Sequence, residues 1–150
     1  MTNGKVVIGS GDSVGISNQA NSTGGNSTTD AFGNSSINVM NGGALSIFAA
    51  GTSSYSVNNP ITVSGNGITQ SNGSVTGAIS ACVTSAENGC GASENITFTG
   101  KVKLLGNTQI GRSAPSSLGA NNTHVSYTFN NLDKNGYTLN TVTDYYNGKL

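Results

Sequence analysis

Gly11-Asp12-Ser13-Val14-Gly15 has the G-x-S-x-G spacing of a nucleophile elbow. There a serine on a strained strand-to-helix turn attacks a carbonyl, and the N–H of the next residue stabilises the oxyanion. The chemistry needs a helix directly after the serine, and the segment beyond Gly15, ISNQANSTGGN, cannot form one. The one histidine, His124, would have to act as base, and the sequence offers no helices to flank a sheet that could bring it near. Ser13 therefore reads as part of a glycine turn.

Carboxylate chemistry is equally thin. Polysaccharide-cleaving sites place an acid and a base on either side of one bond, yet Asp12, Asp30, Glu87, Glu94, Asp133 and Asp144 never fall two to a strand-turn unit. Gly24-Gly25 with Asp30 makes one imperfect copy of a calcium nonapeptide, whose turns need several copies at fixed offsets. Thr97 and Thr99 form one Thr-x-Thr pair, where an ice-binding array needs the same pair on successive coils. Tyr127, Tyr137, Tyr145 and Tyr146 are candidates for surface contact by stacking on sugar rings, with core or edge packing the plainer alternative. The expectation is a chain without catalytic residues, cofactor or metal.

Cys82 and Cys90 bracket a loop ending in the turn signal Asn88-Gly89. Closing it as a disulfide would stabilise the fold by roughly 2 to 3 kcal/mol through loop-closure entropy and would imply an oxidising compartment; two unpaired thiols are the alternative. A zinc site needs about four ligands, and His124 is distant in sequence. Asn-x-Ser/Thr triplets begin at Asn21, Asn26, Asn34, Asn72, Asn95 and Asn121, as expected by chance in so Asn/Ser/Thr-rich a chain.

The elements that must position these residues are short strands. Lys5–Ile8, Val14–Ile16, Ile37–Met40, Ala44–Phe48, Tyr55–Val57, Ile61–Val63, Val75–Ile79, Ile96–Thr99, Lys101–Leu105, Thr108–Ile110, Val125–Phe129 and Tyr137–Val142 alternate apolar with small polar residues. Asn-Gly, Gly-Asn or Gly-Gly fills nearly every gap, and no stretch has a capped 3.6-residue apolar period, so helix content should be close to nil.

Composition agrees. Only 34% of the 150 residues are hydrophobic and 8% charged, with 22 Gly and 2 Pro. A disordered chain of such low apolar content is usually charged or Pro-rich; here the net charge is zero and the apolar residues cluster, which predicts a folded, turn-dense all-β chain. Six basic and six acidic residues, spread along the sequence, form no run that would collect phosphates, so nucleic acid is not an expected partner. No apolar run approaches the roughly 20 residues of a membrane helix. The start lacks a signal-peptide pattern, and both ends read as edges of a fragment.

Strands this short, with turns every six to twelve residues, fit a sandwich or a solenoid. The recurrence of INVMNGG, ITVSGNG, ITFTG and YTLN favours the solenoid, with Val, Ile, Leu and Phe inward and Thr, Ser and Asn outward. The expected architecture is a single β-solenoid segment over 1–150, with loop insertions near 18–36 and 80–94 and with its units irregularly spaced.

Asn41–Ile47 (an N-G-G-x-L-x-I unit), Asn59–Gly65 (an N-P-I-T-hydrophobic-S-G unit) and Leu104–Ile110 (a hydrophobic-x-G-N-x-x-I unit) resemble the β-strand repeats of bacterial autotransporter passengers and related surface adhesins, over roughly residues 36–142. That resemblance implies a right-handed parallel β-helix, exported and displayed on a bacterial cell. On it the chain is expected to be an extracellular stalk or adhesive module that meets cell-surface glycans or proteins, or copies of itself. Alternatives are a carbohydrate-binding or carbohydrate-cleaving β-helix of phage or secreted origin, and a self-assembling fibre or shell subunit. The cysteine loop departs from the usual passenger, and nothing in this sequence reads as the C-terminal membrane barrel of that family.

Overall fold

The computed structural model describes residues 4–17, 27–28, 32–48, 53–69, 71, 73, 75–81, 93–111 and 124–142. These form thirteen strands: β1 Lys5–Ile8, β2 Ser13–Ser17, β3 Ser27–Thr28, β4 Ser36–Val39, β5 Ala44–Phe48, β6 Ser53–Val57, β7 Ile61–Gly65, β8 Ile79–Ala81, β9 Ser93–Phe98, β10 Val102–Gly111, β11 His124–Phe129, β12 Leu132–Asp133 and β13 Leu139–Val142. Among the described residues there is no helix.

The strands pair as three parallel ladders. The first runs β1-β4-β7, then the start of β10, then β12. The second runs β2-β5-β8, then the end of β10, then β13. The third runs β3-β6-β9-β11. Because β10 belongs to both of the first two ladders, they merge into one nine-stranded sheet, while the third is separate. In sequence order the chain visits the three ladders in turn and then returns to the first. A sandwich would require antiparallel pairs; every pairing between named strands is parallel, and the one antiparallel contact among the described residues is the isolated bridge Thr69–Val75.

Register accounts for the irregular sequence spacing. Equivalent positions on the first ladder are Val6, Ile37, Ile61, Val102 and Leu132, so successive rungs are 31, 24, 41 and 30 residues apart. The ladders stay aligned because the extra residues lie between strands. The longest interval holds both the segment between β7 and β8 and that between β8 and β9.

The core is a set of columns, one from each rung. Ile37, Ile61 and Val102 stack in the first ladder, and beside them Val39, Val63 and Leu104. Leu45, Ile79 and Ile110 stack in the second. Tyr55, Ile96 and Tyr127 form one column of the third and Val57, Phe98 and Phe129 the other. Phe98 and Phe129 are stacked with centroids 4.8 Å apart and planes 9° from parallel. Nearly all of these side chains are buried, within a single cluster. A strand of four or five residues is unstable alone; here each is paired with one or two others in its ladder and shares their buried face.

β7 shows the alternation most plainly. Ile61 and Val63 are buried, while Thr62 and Ser64 are partly exposed. The residues fencing this strand also bond between rungs. The Asn59 amide nitrogen donates to the carbonyls of Gly33 (2.9 Å) and Ser35 (2.8 Å) on the preceding rung, and Asn59 is buried. The Thr99 hydroxyl, on the next rung, donates to the Asn58 side-chain oxygen.

Candidate functional site

Ser13 is exposed and opens β2, pairing with Ala44; the strand continues to Ser17, so the geometry is turn-to-strand and not strand-to-helix. His124 opens β11 on the third ladder. Asp12 precedes β2 on the first rung and Asp133 lies in β12 on the fifth, four rungs or about 19 Å apart along the stack. A glycoside-cleaving pair needs about 5 to 9.5 Å. Glu94 lies in β9, in register with Ser53 and Val125. Among the described residues no three metal-ligating side chains cluster. Cys82, Cys90, Asp30, Glu87, Asp144, Tyr145, Tyr146 and Gly24-Gly25 lie outside the described residues, as do most of 18–36 and 80–94; within those ranges β3 forms at Ser27–Thr28, β4 begins at Ser36, β8 ends at Ala81 and β9 begins at Ser93.

The tyrosines separate. Tyr127 is 4% exposed, in the third ladder's interior column, so its ring is a core ring and not a surface platform. Tyr137 is 40% exposed just beyond the turn at Asn135-Gly136, its N–H donating to the Lys134 carbonyl at 2.8 Å. The Thr97–Thr99 pair does not repeat as a pair. Thr99 lies beyond β9, in a turn with the carbonyl of Val57 and the side chain of Asn58. Thr97 belongs instead to a column.

That column belongs to the most regular polar surface described. On the outward side of the third ladder Ser56, Thr97 and Thr128 are in register on three successive rungs, and beside them Ser54, Asn95 and Ser126. Period-two alternation sends these side chains out while Tyr55, Val57, Ile96, Phe98 and Tyr127 go in. The Ser126 hydroxyl donates to Asn95 Oδ1 at 2.5 Å. On the first ladder the Thr62 hydroxyl donates to Asn38 Oδ1 at 2.8 Å in the same rung-to-rung manner. The side chains in these columns are uncharged, and carry donors and acceptors at a spacing of about 4.8 Å per rung. Sequence reading identifies the residue types but not the columns, because column partners are 31 to 41 residues apart.

Two grooves lie on the described surface. One, of about 450 Å³, lies at the last described rung among Tyr127, Phe129, Leu132, Lys134 and Leu139, and takes in Ser126 and Thr128 at the end of the polar face. The other, of about 400 Å³, lies against the first ladder and includes Lys5, Lys101 and Lys103. Lys101 Nζ is 3.2 Å from Asp133 Oδ2. The hydrogen bond from Lys101 holds the Asp133 carboxyl below its usual range, helped by the nearby charges of Lys101 and Lys103 and by the Asn135 N–H. The buried Ser46 and Ser80 hydroxyls are in register on the second ladder and make no hydrogen bond among the described residues.

No protein-family model, curated protein or solved structure matches the chain. None of these comparisons, therefore, identifies an autotransporter or adhesin family.

Proposed function

We infer that the chain is a segment of a right-handed parallel β-helix acting as a non-catalytic stalk or adhesive module, displayed outside a bacterial cell. The architecture rests on the three-ladder course with all named strands parallel, and the hand on the near-universal right-handedness of parallel crossovers. The contact role rests on one observation: the in-register face of Ser54, Ser56, Asn95, Thr97, Ser126 and Thr128. Uncharged hydroxyls and amides on a rigid sheet make individually weak bonds, and contact at many rungs multiplies them. Cell-surface glycans and proteins are partners of matching chemistry.

The test is adhesion of beads coated with the protein to glycan-bearing cells or surfaces, with Thr97→Lys/Thr128→Lys as the altered face. Outward Lys side chains are compatible with the strands, so the fold should survive, as circular dichroism would verify. The reading predicts adhesion above that of an inert protein and its loss in the double variant. Equal adhesion by the two proteins, or none by either, would contradict it.

A second reading has one observation in its favour. The last-rung groove exposes part of the core, with Phe129 and Leu132 only partly buried, which suits a self-assembling subunit stacked head to tail. Concentration-dependent sedimentation as linear oligomers would favour it.

A further inference from the structure

The basic residues look scattered in the sequence, yet the fold brings three of the six into one groove. Lys5 pairs in register with Ser36 on the second rung, and the position after Ser36, Ile37, aligns with Ile61 and then Val102. Lys101, immediately before Val102, thus occupies the same column as Lys5, three rungs further along. At roughly 4.8 Å per rung the two backbones are about 14 Å apart, and Lys103 is about 7 Å from Lys101 along the strand. Ser36 and Thr62 add hydroxyls between the cationic ends.

Asp133 is the one acid among the described residues on this face. It pairs with Lys101 at 3.2 Å and is the register partner of Lys103. Three lysines against one aspartate leave a net charge of +2 in a chain whose total is zero. Lys5 and Lys103 make no ion pair among the described residues. A positive groove lying along a stack of rungs matches an elongated ligand bearing regularly spaced anionic groups.

We propose that the groove formed by Lys5, Ser36, Thr62, Lys101 and Lys103 binds a linear acidic glycan, its sulfate or carboxylate groups meeting the lysines and its hydroxyls meeting Ser36 and Thr62. The proposal rests on the adhesive reading and narrows it to an acidic carbohydrate held on a different face from the hydroxyl columns. An acidic glycan suits the groove better than a nucleic acid, because among the described residues the lysines number only three and no exposed aromatic lines the site for bases to stack on.

The test measures binding of the intact protein to dextran sulfate, polygalacturonate, uncharged dextran and duplex DNA at low and at physiological salt. Tight binding of one or both acidic polymers and none of dextran is expected, weakening as salt shortens the screening length. Which acidic polymer binds identifies the anionic group. Lys5→Gln/Lys103→Gln should weaken binding by about five- to thirty-fold, from two exposed ion pairs. Asp133→Asn removes the competing acid, keeps an oxygen for the Asn135 N–H, and should tighten binding. Lys134→Gln, outside the groove, should have little effect. Thermal melts of the variants verify that each is folded.

Unchanged affinity in the Lys5/Lys103 variant, absence of acidic-polymer binding, or tighter binding of DNA would overturn the proposal. Adhesion that persists through uncharged glycans and ignores the lysines would do so while leaving the adhesive reading standing. Absence of any adhesion would remove both.

Discussion

Asn59 is a buried amide whose nitrogen holds two carbonyls of the preceding rung, those of Gly33 and Ser35. Losing it strands both acceptors, so Asn59→Ala should destabilise by roughly 1 to 3 kcal/mol. Asn59→Asp should be worse than Ala near neutral pH, because an ionised carboxylate would face those two carbonyls and be buried with them. Chemical denaturation of the two variants checks the order, and an Asp variant as stable as the wild type would remove the role given to Asn59. In the sequence this residue is one of many turn-forming asparagines; nothing local distinguishes an amide that spans two rungs from one that faces water. The lysines of the first-ladder groove are hidden for the same reason, since Lys5 and Lys101 become neighbours only through the ladder.

The strands are the legible elements. Period-two alternation locates Lys5–Ile8 to the residue, because that strand carries its own buried and exposed faces, and the apolar-polar pattern also locates Ala44–Phe48, although Ala44, Leu45, Ser46 and Ile47 are all buried. Two adjacent candidates, Lys101–Leu105 and Thr108–Ile110, prove to be one strand, β10. Its register against β7 shifts between Leu104 and Thr108, taking in two extra residues as it passes from the first ladder to the second. The Gly106-Asn107 pair that reads as a turn is this bend. Val75–Ile79 lies too far toward the N-terminus: the strand is Ile79–Ala81, and Thr76 and Gly77 belong to a tight approach instead. Gly77 has φ of +75°, and a Cβ there would lie 2.2 Å from the Gly111 carbonyl oxygen in β10. Gly77→Ala is therefore expected to cost roughly 2 to 3 kcal/mol, from left-handed strain plus displacement of backbone. A melting temperature within a degree of wild type would show that this segment yields more easily than the packing implies. β3 and β12, two residues each, escape a sequence reading, because so short a strand has no periodicity and is held only by its neighbour's register.

At the scale of the molecule, rungs of 24 to 41 residues explain why the repeat is blurred in sequence and regular in space. The core needs only that each rung return an apolar residue to the same column. Between columns the chain is free to lengthen, at a slowly growing entropic cost. Polar face, lysine groove and buried columns all depend on that register. Thr97 and Thr128 are 31 residues apart in the chain and adjacent in the third ladder, at about 4.8 Å between strands, within reach of a disulfide. With Cys82 and Cys90 replaced by serine, Thr97→Cys/Thr128→Cys should close an intramolecular disulfide on mild oxidation, detected by non-reducing peptide mapping. Asn38→Cys/Thr128→Cys, on different ladders, should remain reduced under the same conditions. Failure of the first pair to close, or equal closure of the second, would contradict the stacked-rung register.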